Sequence, residues 1–155
     1  MHYIYMFIAL GFGSGKAPKA PGTFGTLMGI LPVLLTAGTP YWVRASVFIA
    51  LFILGTVSSG YHGRHTGIKD AGEVVIDEIA AYYMIFLFFP VNIVTVITGF
   101  VLFRIFDITK PWPIKRFEAL DGGVGVMMDD IIAGIYSIIC LAVLYTGYIM
   151  FFAHR

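Results

Sequence analysis

Residues 131–153 contain neither an acid nor a base. Coiled as a helix at about 1.5 Å per residue, a run of that length covers the roughly 30 Å hydrocarbon thickness of a bilayer. Such a run either sits inside a large soluble core or faces lipid, and composition decides between the two. Hydrophobic residues make up 59% of the chain and charged residues 12%, about half the charged share of a soluble domain. Too few charges remain to coat a water-facing surface. The sequence therefore predicts an integral membrane protein, and 155 residues leave room for one membrane-embedded domain over 1–155, with one site.

Four shorter apolar runs precede this one, at 24–37, 43–57, 74–89 and 91–106. Pro40, the Ser58-Ser59-Gly60 cluster and Pro90 separate them where hairpins would turn. The expected architecture is all-α: a compact multi-helix bundle with about four to five membrane segments. The run that carries Asp77 and Glu78 is a candidate re-entrant helix. Residues 3–12 read as an interfacial helix or a sixth partial span. The opening MHYIYMFIALGFG lacks a basic leader and a small-residue cleavage site, so it reads as retained structure.

If each run crosses once, eight of the ten Lys and Arg residues fall on one face, and only Arg44 and Arg155 on the other. An excess of Lys and Arg marks the cytoplasmic side. All nine acids lie between Asp70 and Asp130 and map to that same face. A net charge of +1 offers no basic stripe for nucleic acid. The lone Cys140 makes neither an internal disulfide nor a cysteine zinc site.

Three segments have the composition of a reaction site. GFGSGKAPKAPGTFG, residues 11–25, carries five glycines and two lysines. Glycine permits close backbone approach to an anion, so Gly13, Ser14, Gly15, Lys16, Gly22 and Thr23 are candidate phosphate contacts. It lacks the Gly-Lys-Ser/Thr ending of a Walker loop, and a flexible entry loop is the plain alternative. In FRIFDITKPWPIKRFE, residues 103–118, Arg104, Asp107 and Lys110 recur every third position and are expected to share one helix face, which Pro111 and Pro113 end. An intrahelical salt-bridge stripe is the alternative there. GGVGVMMDDIIAG, residues 122–134, puts Asp129 and Asp130 at the expected start of the last span, where one of them suits an N-cap.

Asp77 and Glu78 inside VVIDEIAAYY are costly to bury without a partner or a metal. Together with Asp107, Asp129 and Asp130 they suit a hard, oxygen-loving cation such as Mg²⁺ rather than zinc. Among His2, His62, His65 and His154, only His62 and His65 map to the acidic face, where both read as solvated loop residues rather than ligands.

In this order, GFGSGKAPKAPGTFGTL, IDE, the 103–118 segment and GGVGVMMDDIIAG resemble the motif set of the bacterial phosphatidylglycerophosphatase A family. The resemblance runs from about Gly11 to Gly134. It implies Mg²⁺-dependent removal of the terminal phosphate of phosphatidylglycerophosphate, a lipid substrate, at the cytoplasmic face of a bacterial inner membrane. No obligate protein partner is implied. Carried over by position, Asp77, Glu78, Asp107, Asp129 and Asp130 would hold the metal. Arg104, Asp107, Lys110 and Asp130 would be catalytic, with Lys110 and the glycine-loop residues binding phosphate. Direct attack by an activated water and attack by Asp107 to form an aspartyl phosphate both remain open. No CX5R, DxDxT or PSGH motif points to another phosphatase chemistry, and no DGxxAR pattern points to a lipid synthase. A small ion- or proton-coupled transporter is the competing reading, and it would place polar residues near the midplane and on both faces.

Overall fold

The computed structural model describes residues 2–153; Arg155 and His154 lie outside the described residues. Among the described residues seven α-helices follow one another: α1 His2–Ala9, α2 Pro21–Thr36, α3 Tyr41–Thr66, α4 Ile76–Ile85, α5 Ile93–Thr109, α6 Ile114–Glu118 and α7 Gly122–Ala153. A 3₁₀ turn, Gly11–Lys16, joins α1 to α2. No strand occurs among the described residues.

Local chemistry sets the helix ends. Pro40 stands at the N-cap of α3, and left-handed Gly67 closes its other end. Asn92 and Thr95 form a reciprocal capping box at the start of α5. That helix stops before Pro111, with Lys110 in the left-handed region at φ 40°.

The core centres on α4, which α2, α3, α5 and α7 enclose. Its residues Ile79 to Ile85 are all buried. Polar contacts fix its far end: the Tyr82 hydroxyl donates to the Val96 carbonyl at 2.9 Å, and Arg44 Nη1 donates to the Phe86 carbonyl at 3.0 Å. The latter satisfies a carbonyl that the helix itself leaves unpaired. Leu31, Leu34 and Leu35 of α2, Ile49 and Ile53 of α3, Ile97 and Val101 of α5 and Val143 of α7 point outward. An apolar belt of that extent suits lipid rather than water.

Among the described residues two helices are long and apolar enough to cross a bilayer: Tyr41–Thr66, and Gly122–Gly147 within α7. That is fewer than the four to five segments expected. α2 is a shorter apolar helix of 16 residues. α4 has ten residues, about 15 Å of rise, and does not span.

Two further expectations need correction. Ser58-Ser59-Gly60 is not a turn but part of α3. Small residues there let α3 press against α7: a Cβ on Gly123 would strike the Thr56 carbonyl, and one on Gly60 would lie 3.2 Å from the Gly123 nitrogen. α7 correspondingly begins at Gly122, so Asp129 and Asp130 lie two turns inside it, and neither is an N-cap.

Candidate active site

The first turn of α4 and the third turn of α7 bring Asp77, Glu78 and Asp130 together. One oxygen from each lies within 4.8 Å of the others. Asp77 is 6% and Asp130 4% exposed. Adjacent residues on a helix point about 100° apart, and the structure separates Asp129 from Asp130 accordingly. Asp130 joins the triplet, whereas Asp129 turns to Lys110, with Nζ 2.7 Å from Oδ2.

Arg104 and Asp107 flank the triplet from α5. Arg104 Nη1 donates to Asp107 Oδ2 at 2.6 Å, and it lies 3.9 Å from Glu78 Oε1. Lys110 does not share their helix face as expected. As the left-handed cap of α5 it leaves the stripe and reaches across to α7. It also approaches Glu118, at 3.5 Å.

Five carboxylates thus gather around two cations, Arg104 and Lys110. Burial pushes the Glu78 carboxyl up to about 8. Asp130 and Asp107 add to the rise, while a hydrogen bond with Asp77 and the charge of Arg104 oppose it. For Lys110, burial acts downward, but the hydrogen bond and charge of Asp129, with Glu118 and Asp130, outweigh it and hold the ammonium well above its ordinary value.

The donor set fits a hard divalent cation. Opposite ligands of Mg²⁺ are about 4.2 Å apart, slightly less than the 4.8 Å bound on the triplet. Among the described residues, Glu78 Oε2, Asp130 Oδ2 and Asp129 Oδ1 are buried with no hydrogen-bond partner. Buried anionic oxygens without partners are costly, and a cation among them removes that cost.

The glycine segment divides into two parts. Gly22, in the first turn of α2, lies against the site: a Cβ there would strike Glu78 Oε1 and stand 3.1 Å from Arg104 Nη1. Gly22→Ala is therefore expected to displace the Glu78 carboxylate and lower turnover about 100-fold in a protein that still folds, since ångström-scale misplacement costs that much. A turnover assay paired with a thermal melt checks both halves. The Gly11–Lys16 turn makes no contact with the carboxylates among the hydrogen bonds and ion pairs described. Ser14 Oγ donates to the Gly11 carbonyl at 2.8 Å, Gly15 packs on the Glu73 backbone, and Gly13 and Lys16 line an apolar hollow beside α1. Thr23 is half-buried in the first turn of α2.

A match to the family model described as Phosphatidylglycerophosphatase A covers residues 7–145, which is most of the chain. The chain belongs to the phosphatidylglycerophosphatase A family. Phosphatidylglycerophosphatase A of Escherichia coli is 37% identical over 132 residues, covering 84% of this chain and 77% of the relative. That of Haemophilus influenzae is 39% identical over 138 residues, covering 85% and 83%. A Bacteroides thetaiotaomicron protein with the provisional name phosphatidylinositol-3-phosphatase is 38% identical over 149 residues, covering 91% and 93%. No solved structure matches the chain. Membership in the phosphatidylglycerophosphatase A family makes the chain a phosphoric monoester hydrolase.

Three features of this family member were not read from its sequence. Thr26, fully buried, donates to the Gly22 carbonyl at 2.9 Å and accepts from Arg104 Nη1 at 3.4 Å, steadying the arginine. Its place four residues after Gly22 is a signal that could have found it. His62 is not a solvated loop residue. It lies in α3, fully buried, 3.0 Å from Glu73 Oε1, because α3 runs on past the expected turn. Glu118, in α6, lies beside Lys110, with its Oε2 3.5 Å from Nζ.

Proposed function

We propose that the chain hydrolyses the terminal phosphate monoester of phosphatidylglycerophosphate, giving phosphatidylglycerol, with Mg²⁺ held by Asp77, Glu78 and Asp130. The observation that carries this reading is the buried carboxylate triplet beside Arg104, within a chain of this family. When bound, the metal would supply a Lewis acid for the phosphoryl oxygens. Arg104 would neutralise charge that develops on the phosphoryl group, as would Lys110 beside Asp129. Asp107, held by Arg104 at the edge of the triplet, would accept the proton of the attacking water. The α2 start at Gly22 would let the phosphate approach without a side chain in the way.

The same reading covers the membrane arrangement. α3 and α7 would cross the bilayer and α2 and α5 would complete shorter crossings. α4 would be re-entrant, entering from the cytoplasmic face where the acids gather. A transporter would need polar groups near the midplane and on both faces, and the described acids cluster on one.

The Bacteroides relative favours a second substrate, a phosphoinositide carrying its phosphate on a ring carbon. Both are lipid phosphate monoesters, and only the bulk around the ester differs. Detergent-solubilised protein is expected to release phosphate from phosphatidylglycerophosphate at least tenfold faster, in kcat/KM, than from phosphatidylinositol 3-phosphate. The reverse order would make the phosphoinositide the substrate.

A further inference from the structure

A second hollow lies outside the carboxylate cluster. A cavity of about 220 Å³ opens between the end of α3 and the start of α7, lined among others by Ser59, Gly60, Arg64, Lys69 and Gly122. At roughly 30 Å³ per water, it has room for a hydrated tetrahedral oxyanion. Its lining is one-sided in chemistry, because no acidic side chain contributes to it.

Three kinds of donor converge there. The cavity meets the N-terminus of a long helix, α7, at Gly122, where the first-turn amides have no partner within the helix and carry the positive end of its dipole. Arg64 makes no ion pair among the described residues, and Lys69 spends one of its protons on the Glu118 carbonyl at 2.9 Å. The independent observation is Ser59. It is 1% exposed and lines the cavity, and its Oγ has no hydrogen-bond partner among the described residues. A buried hydroxyl left unpaired in a cavity of donors calls for an acceptor. Asp121, just before α7, and Asp70, just after Lys69, are exposed and outside the lining, so they weaken an anion's binding without filling its place.

We propose that this cavity is a second anion site, taking a phosphate oxyanion through Ser59, Arg64, Lys69 and the α7 amides. It is distinct from the carboxylate triplet, since Gly122 and Asp130 are eight residues apart, about 12 Å along α7. The phosphate belongs either to the headgroup of an anionic phospholipid in the facing leaflet or to free inorganic phosphate.

The test uses the full chain with chelator present, so that metal-dependent binding at the triplet is silent. Inorganic phosphate is titrated by calorimetry. Retention of phosphatidylglycerol over phosphatidylcholine is read by native mass spectrometry of protein taken from mixed vesicles. Wild type and Asp130→Asn are expected to bind at least one of the two probes, and Ser59→Ala/Arg64→Gln to bind it at least tenfold more weakly. Binding of phosphate alone assigns the site to the free ion, and retention of the lipid assigns it to the headgroup. Absence of both from wild type overturns the proposal. So does equal binding by the double variant, or loss caused by Asp130→Asn alone. If the double variant does not fold, Arg64→Gln, at an exposed position, is expected to weaken binding at least threefold, and unchanged binding overturns the proposal.

Discussion

Asp130→Asn is expected to lower phosphate release about 1,000-fold or more while leaving the metal-free protein at least as stable as wild type. The two effects have one cause. Asp130 is 4% exposed, one of its oxygens has no partner, and Asp77, Asp107 and Asp129 all act on it with like charge. The amide keeps the shape and cannot ionise, so the cost of burying a charge beside other acids is removed from the metal-free state. With roughly 1 kcal/mol relieved, the melting temperature should rise by about 3 °C. The triplet also loses a ligand and with it the charge that holds a divalent ion. Catalytic groups that act as a unit fail together, and losses of about 1,000-fold follow removal of one. Wild type should gain about 2.7 kcal/mol of stability when Mg²⁺ reaches a hundred times its dissociation constant, and the variant should gain almost none. Thermal melts with and without Mg²⁺, beside the release assay, separate these effects. A variant keeping a tenth of wild-type activity would remove Asp130 from the site.

Lys110→Met carries the second large effect, and here stability falls. The Lys110 ammonium lies 2.7 Å from Asp129 Oδ2, and the Asp129 side chain is 5% exposed with its other oxygen unpartnered. Truncating one member of such a pair strands a buried charge and costs about 3 kcal/mol. Adding Asp129→Asn removes the stranded charge, so the double variant should recover most of that loss. The coupling between the two positions should be about 2 kcal/mol. The double variant should nonetheless remain poorly active, because the ammonium proposed to neutralise the phosphoryl group is gone. The folded state holds the Lys110 ammonium above its ordinary value. Its contribution is therefore complete below the unfolded value and is lost only as pH rises through the folded one, so the pair should persist at strongly alkaline pH. Denaturant unfolding in detergent at several pH values checks the sign.

How much of this was legible in the sequence depends on the range of the interaction. The helical class followed from apolar runs and proline punctuation, which act locally, and α2 and α5 begin and end within three residues of the runs that predicted them. Ser58-Ser59-Gly60 misled because small residues serve equally as turn formers and as helix-packing surfaces. Only the facing Gly123 distinguishes the two roles, and it is distant in sequence. The gathering of Asp77, Glu78 and Asp130 was legible as a one-sided distribution of acids and as a family motif set. The division of labour within the acids was not. Asp129 and Asp130 are neighbours with opposite partners, and which one faces α4 depends on the rotation of α7 about its axis. Lys110 left the expected stripe because a left-handed residue ends α5 there, and the local sequence leaves that conformation open until Pro111 and the reach to Asp129 are both in place. The burial of His62 became visible only through packing of α3 against its neighbours, and the contact of Thr26 with Arg104 only through the approach of α2 to α5.

The claim at the centre is that the buried carboxylates of α4 and α7 work through a divalent cation on a lipid phosphate monoester. The direct measurement is phosphate release from phosphatidylglycerophosphate by purified protein, first stripped with chelator and then titrated with Mg²⁺. The account predicts no release above background in chelator and a saturable return with added Mg²⁺, absent in Asp130→Asn. Full release in chelator, or no release at any Mg²⁺ concentration, would contradict it.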